Sequence, residues 1–125
     1  MVKTLSIAGV AGVAAVVCAI ALSAGTPAAR EIHIVARDMT FYVDGRPEAN
    51  PALRVRRGEH VRVVFRNEDA GMKHDFVIPD WDVETKTVSG KGETSTTFRV
   101  PDRASSGTYI CTPHVSMMKG TIAVE

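Results

Sequence analysis

Cysteine is scarce in this sequence, which has only Cys18 and Cys111 among its 125 residues. Cys18 lies in an apolar run at the N-terminus, so only Cys111 belongs to the chain that follows this run. One cysteine cannot form an internal disulfide, which excludes a small domain held together by disulfides. In an exported protein, an unpaired thiol is either a reactive liability or is held by another group.

The chain also has almost no excess of positive or negative charge, and it has few aromatic residues. The formal net charge is +1, and aromatic residues make up 6% of the chain. A chain this close to neutral has no general attraction to polyanions, so we predict no nucleic-acid partner. The length allows one domain with a real apolar core, and we expect that domain to be a monomer.

The one long apolar run covers residues 5–24, and Lys3 supplies a positive charge before it. This arrangement is typical of a secretory signal, and Ala19 and Ala21 fit an A-x-A cleavage site. A run of roughly 20 apolar residues is also long enough to span a membrane. Residues 1–25 are therefore predicted to be either a signal peptide or an uncleaved anchor. Either way, we expect the rest to be exported to the periplasm or the outer face of the membrane.

Residues 26–30 are predicted to be a short linker, and residues 31–125 to be one domain. Alternating apolar and polar residues, clearest at Val61, Val63 and Phe65, indicate strands in this part of the chain. Turn signals such as Asp44-Gly45 separate the strands, and no helical period appears after the N-terminal run. About seven or eight short strands predict an all-β fold, a Greek-key sandwich or barrel.

Soft and borderline metal ligands cluster in the segment CTPHVSMMKG, residues 111–120. Cys111 lies at the end of a predicted strand and His114 in the loop after it, whereas His74 lies just before another predicted strand. Because a Greek-key sandwich gathers its loops at two ends, these side chains can converge. One Cys, two His and a weak Met form the ligand set of a blue-copper electron-transfer site.

Two segments resemble the cupredoxins, in particular the group of amicyanin, plastocyanin, pseudoazurin and azurin. They are MKHD at residues 72–75 and GTYICTPH at residues 107–114, the second followed by Met118-Lys119-Gly120. The resemblance implies a single type 1 copper ion with a methionine as the weak axial ligand. It also implies three strong equatorial ligands, which are His74, Cys111 and His114.

The axial ligand can be Met117, by the spacing in amicyanin, or Met118, by the spacing in azurin. In this family the axial methionine is followed by x-Gly and then by a strand whose alternate residues face the core. Counting from Met118 places Gly120 at the glycine position and turns Ile122 and Val124 inward. Since a slip of one residue exchanges the two faces of a strand, we predict Met118.

Asp75 departs from the family, whose members often have Asn at this position. The side chain there usually ties the two ligand loops together. An ionised Asp can only accept hydrogen bonds, although the backbone N–H of Asp75 can still donate to the Cys111 sulfur.

The resemblance implies a one-electron carrier that cycles between Cu(I) and Cu(II) and docks transiently with redox proteins, a donor and an acceptor. The alternative is an accessory copper-binding protein for delivery, storage or oxidase assembly, which would use the same ligands. We expect no enzymatic activity, because no orienting acid stands out beside Cys111 and His114. A binuclear copper site of the oxidase type would need a second cysteine.

Overall fold

The computed structural model describes residues 24–125 of the chain. The predicted signal or anchor segment lies almost wholly outside the described residues. Residues 24–29 have no regular structure, and the first strand begins at Arg30. Across the described range, no helix is both long enough and apolar enough to cross a membrane.

The described residues form eleven strands and two short 3-10 helices. In chain order the strands are β1 (Arg30–Arg37), β2 (Thr40–Val43), β3 (Leu53–Val55), β4 (His60–Asn67), β5 (Lys73–His74), β6 (Val77–Ile78), β7 (Val83–Glu84), β8 (Val88–Ser89), β9 (Gly92–Arg99), β10 (Gly107–Ile110) and β11 (Lys119–Val124). The 3-10 helices are Pro79–Trp81 and Thr112–His114.

The strands form two main sheets and one short ribbon. The first sheet has the order β2-β1-β4-β9, and the second has the order β3-β11-β10-β6-β7. The ribbon pairs β5 with β8. Each sheet contains one parallel pair, β1 with β4 and β3 with β11, and its other pairs are antiparallel. The predicted all-β sandwich is confirmed, and the eleven strands include four of only two residues.

An aromatic group fills the core beneath one end of the sandwich. Phe76 stacks on Tyr109 with ring centroids 5.2 Å apart, and the edge of Phe41 packs against both rings. Burial raises the pKa of Tyr109, so its hydroxyl stays protonated and donates a hydrogen bond of 2.6 Å to the Pro51 carbonyl. Phe76 lies two residues after His74, and Tyr109 lies two residues before Cys111. Two short segments therefore supply both these core rings and two of the predicted ligands.

Gly120 lies directly opposite Tyr109 in the pairing of β10 with β11. A Cβ atom at position 120 would overlap the Tyr109 ring, which the neighbouring aromatic rings prevent from moving aside. The glycine of the Met-x-Gly segment therefore has a packing reason: it leaves the space that the Tyr109 ring occupies.

We expect Gly120→Ala to lower the free energy of unfolding by about 2–3 kcal/mol, because it overpacks a rigid part of the core. Chemical denaturation measures this loss. Gly107→Ala on the partner strand is the matched control, because its Cβ would meet the carboxylate tip of Asp80 at 3.3 Å and the Cγ2 atom of Ile122 at an ordinary contact distance of 3.8 Å. That control should cost no more than about 0.5 kcal/mol, and equal losses for the two variants would contradict this interpretation.

Candidate metal centre

Backbone hydrogen bonds within the loop from Cys111 to Met118 join its two ends and fix its second half. The Cys111 N–H donates to the Met118 carbonyl at 3.0 Å, and the Met118 N–H donates to the His114 carbonyl at 2.9 Å. Pro113 lies in the first turn of the Thr112–His114 helix, where its fixed φ suits a helical turn. The loop therefore has little freedom, and it holds His114 over Cys111.

Three of the predicted ligands meet at this end of the sandwich. The Cys111 Sγ lies 3.6 Å from the Nδ1 of His74 and 3.8 Å from the Nδ1 of His114. The two Nδ1 atoms are 3.2 Å apart, and the three ligand atoms lie within 4.8 Å of one another. His74 and Cys111 are fully buried, whereas His114 is partly exposed.

The two adjacent methionines have opposite environments. Met118 is 0% exposed and belongs to the core cluster, whereas Met117 is 52% exposed. In the strand that follows, Ile122 is buried and Val124 packs against the core, as the alternation predicted. Only Met118 is therefore on the inner side of the loop.

The Nε2 atom of His74 lies 2.9 Å from the Oδ2 atom of Asp69. A carboxylate can only accept, so Nε2 carries a proton, and Nδ1 is the ring nitrogen that faces Cys111. Burial of Asp69 alone would raise the pKa of its carboxyl group. Hydrogen bonds from the backbone N–H groups of Asp38 and Met39 and from His74 outweigh this effect, and the pKa of Asp69 is lowered.

Asp75 ties the two ligand loops together from its buried position. Its Oδ1 accepts a hydrogen bond of 2.6 Å from the backbone N–H of Thr112, the residue after Cys111. The two ligand loops are therefore tied together despite the departure from Asn, and the carboxylate is the acceptor.

Burial raises the pKa of the Cys111 thiol in the metal-free protein. The negative charge of Asp75 adds to this shift, and backbone N–H groups of Asp75 and His114 partly oppose it. A thiol held protonated in this way is a poor nucleophile, but a soft metal ion can displace its proton. Two inward-facing imidazole nitrogens and one thiol, all near a buried methionine, form a donor set that fits copper.

The sequence did not predict Asp69, because it lies in a polar loop five residues before His74 with no regular pattern around it. The two other histidines lie away from the cluster. His33 is exposed on β1 and contacts Glu31, and His60 begins β4 at its pairing with Arg99.

Solved copper proteins share this fold. Auracyanin A, a "blue" copper protein from the green thermophilic photosynthetic bacterium Chloroflexus aurantiacus, has a TM-score of 0.63 and 20% identity over 78% of this chain and 100% of its own. Dithionite-reduced auracyanin from Roseiflexus castenholzii has a TM-score of 0.62 and 20% identity, and the match covers 78% of this chain and 98% of the auracyanin chain. A chain of a heme-copper terminal oxidase has a TM-score of 0.60 and 17% identity, and the match covers 76% of this chain and 63% of the oxidase chain. At these identities the likeness establishes the fold alone.

The chain matches the family of copper binding proteins described as the plastocyanin/azurin family over residues 30–125. Because the match spans most of the chain, the protein belongs to this family, the cupredoxins. No curated protein matches the chain by sequence. The cofactor is therefore copper, and four side chains are positioned to bind a single ion: His74, Cys111, His114 and Met118.

Met118→Leu should shift the visible spectrum and the reduction potential of the copper-loaded protein, because it removes the thioether sulfur from the buried side of the loop. The volume is nearly conserved, so the cost to folding should stay below about 1.5 kcal/mol. Met117→Leu is the matched control and should leave both properties unchanged. Larger shifts from the Met117 variant would contradict the assignment of Met118.

Metal binding should release a proton from Cys111, because the buried thiol of the metal-free protein has a raised pKa. Titration with Zn²⁺, a redox-inert probe, in weakly buffered solution at about pH 8 measures this release, since a thiol pKa above the usual range of about 8.5 leaves the group mostly protonated there. The wild-type protein should release about one proton more than Cys111→Ser. Equal release from both proteins would show that Cys111 is not a ligand or is already a thiolate.

Proposed function

We propose that this protein is a one-electron carrier whose copper is bound by His74, Cys111 and His114, with Met118 as the axial ligand. Bound copper would supply the Cu(I)/Cu(II) couple, and the protein would hold its donors in one arrangement for both states. The observation that carries this proposal is the gathering of three donor atoms within 4.8 Å. Small rearrangement between oxidation states favours rapid electron transfer.

His114 is the predicted ligand that reaches the protein surface, since the other three are buried. Beside it lie Val115, which is 48% exposed, and Met117, which is 52% exposed. These two are the large hydrophobic residues exposed on the described part of the chain. A small apolar patch around a partly exposed ligand suits brief docking with a redox protein, because transient redox complexes use small interfaces.

Accessory copper handling is the competing function, and it would use the same four ligands. Burial of Cys111, His74 and Met118 favours a resident ion over a delivered one, because an acceptor of copper has no direct access to these three ligands. Rapid loss of Cu(I) to a chelator would favour copper delivery instead. A hydrolytic role for Cys111 has no support, because its pKa is raised, whereas nucleophilic cysteines have lowered values.

We further propose that the copper domain works outside the cytoplasm. The apolar run at residues 5–24 supports export, through either a cleaved signal or a retained anchor. Edman sequencing or intact mass of the natural protein separates these two forms.

Electron self-exchange between copies of this protein tests the carrier function without a known partner. It is measured from NMR line broadening in mixtures of the oxidised and reduced protein. Met117→Asp should slow self-exchange roughly tenfold, because docking two copies through the patch brings like charges together. Its visible spectrum should stay unchanged.

Thr97→Asp is the matched control, since it adds the same charge on β9, opposite Arg62 in the first sheet. This variant should exchange electrons at close to the wild-type rate. Equal slowing by the two variants would contradict docking through the patch around His114. Negligible self-exchange in the wild-type protein would count against the carrier function itself.

A further inference from the structure

Asp69 joins the metal centre to the turn between β1 and β2. Its carboxylate accepts a hydrogen bond from the backbone N–H of Asp38 at 2.7 Å and another from that of Met39 at 3.2 Å. The same carboxylate accepts a bond of 2.9 Å from the Nε2 atom of His74. One side chain thus contacts both a backbone turn and a proposed copper ligand.

The turn needs this carboxylate because of its own conformation. Asp38 has a φ of 51° and Met39 a φ of 57°, so two successive non-glycine residues occupy the left-handed region. This conformation is costly for side chains such as Met. Both N–H groups of the turn point at Asp69, and their hydrogen bonds help to offset that cost.

The backbone of Asp69 is also fixed. Its N–H donates to the side-chain oxygen of Asn67 at 2.9 Å, and the Asn67 amide donates to the carbonyls of Met72 and Val88. The Asp69 side chain is only 13% exposed. Its carboxylate therefore has a defined position on the side of His74 that faces away from Cys111.

We propose that Asp69 is a positioning residue for copper: it fixes the ring of His74, and its negative charge favours Cu(II) over Cu(I). This inference rests on the proposed role of His74 as a ligand. A carboxylate behind a metal-bound imidazole fixes its tautomer and raises its basicity. The carboxylate charge also stabilises the more highly charged oxidation state of the copper.

Three variants test the proposal. Asp69→Asn keeps an acceptor oxygen and removes the charge, whereas Asp69→Ala removes both. Asp102→Asn is the matched control, because Asp102 is an exposed carboxylate paired with Arg99. Each copper-loaded protein is measured for its Cu(II) affinity, its Cu(I) affinity and its reduction potential.

Asp69→Asn should weaken Cu(II) binding about tenfold more than Cu(I) binding. For a one-electron couple, this difference corresponds to a rise in potential of about 59 mV. Asp69→Ala should weaken Cu(II) binding by roughly 10–100-fold, the usual cost of losing a residue behind a ligand. Asp102→Asn should change none of these quantities.

The ring N–H of His74 provides a second readout, in the diamagnetic Cu(I) protein. In NMR spectra of the wild type, the Nε2 proton should be visible and exchange slowly with solvent. It should remain visible in Asp69→Asn and be lost in Asp69→Ala. If Asp69→Ala fails to fold, Asp69→Asn and the wild-type proton still decide the matter.

A potential for Asp69→Asn equal to that of Asp102→Asn would overturn the proposed effect of charge. An unprotected His74 N–H in the wild type would overturn the proposed positioning. If the wild type shows an intense visible band while the Asp69 variants match the control, the inference fails and the proposed function stands. If the wild type binds copper without that band, both fail together.

Discussion

The pairing of β10 with β11 places the metal centre. Tyr109 opposite Gly120 and Ile110 opposite Lys119 set a register that continues as the hydrogen bond from Cys111 to Met118. A slip of one residue would turn Met118 out of the core. Gly120 makes this register possible, because a side chain there would displace the Tyr109 ring. One contact in the core thus determines which methionine lies beside the buried cysteine.

The proposed ligands are held by hydrogen bonds from outside the site. Asp75 accepts from the N–H that follows Cys111, and Asp69 accepts from His74. In the described residues, every buried side-chain nitrogen and oxygen has a hydrogen-bond partner. Because these hydrogen bonds are all made, the ligand side chains resist the different arrangements that Cu(I) and Cu(II) would otherwise each favour. His114 is held by a short loop rather than by a carboxylate and lies nearest the surface, which suits the proposed path of the electron.

The local alternation of apolar and polar residues predicted much of the fold and of the metal centre. The alternation around Val61 predicted a strand there, and Ile122 and Val124 pointed to the methionine that the structure buries. Other features depend on distant parts of the chain. Two-residue strands such as β5 (Lys73–His74) are too short to show alternation. Asp69 was missed because its role arises from a left-handed turn some thirty residues earlier in the chain. The predicted signal or anchor remains a prediction.

The visible and paramagnetic resonance spectra of the copper-loaded protein test the central claim most directly, because they report metal, thiolate bonding and geometry together. We predict one copper per chain and an intense visible band that is lost in Cys111→Ser. A colourless protein with full copper loading, or a band that survives in Cys111→Ser, would contradict a type 1 site built from His74, Cys111, His114 and Met118.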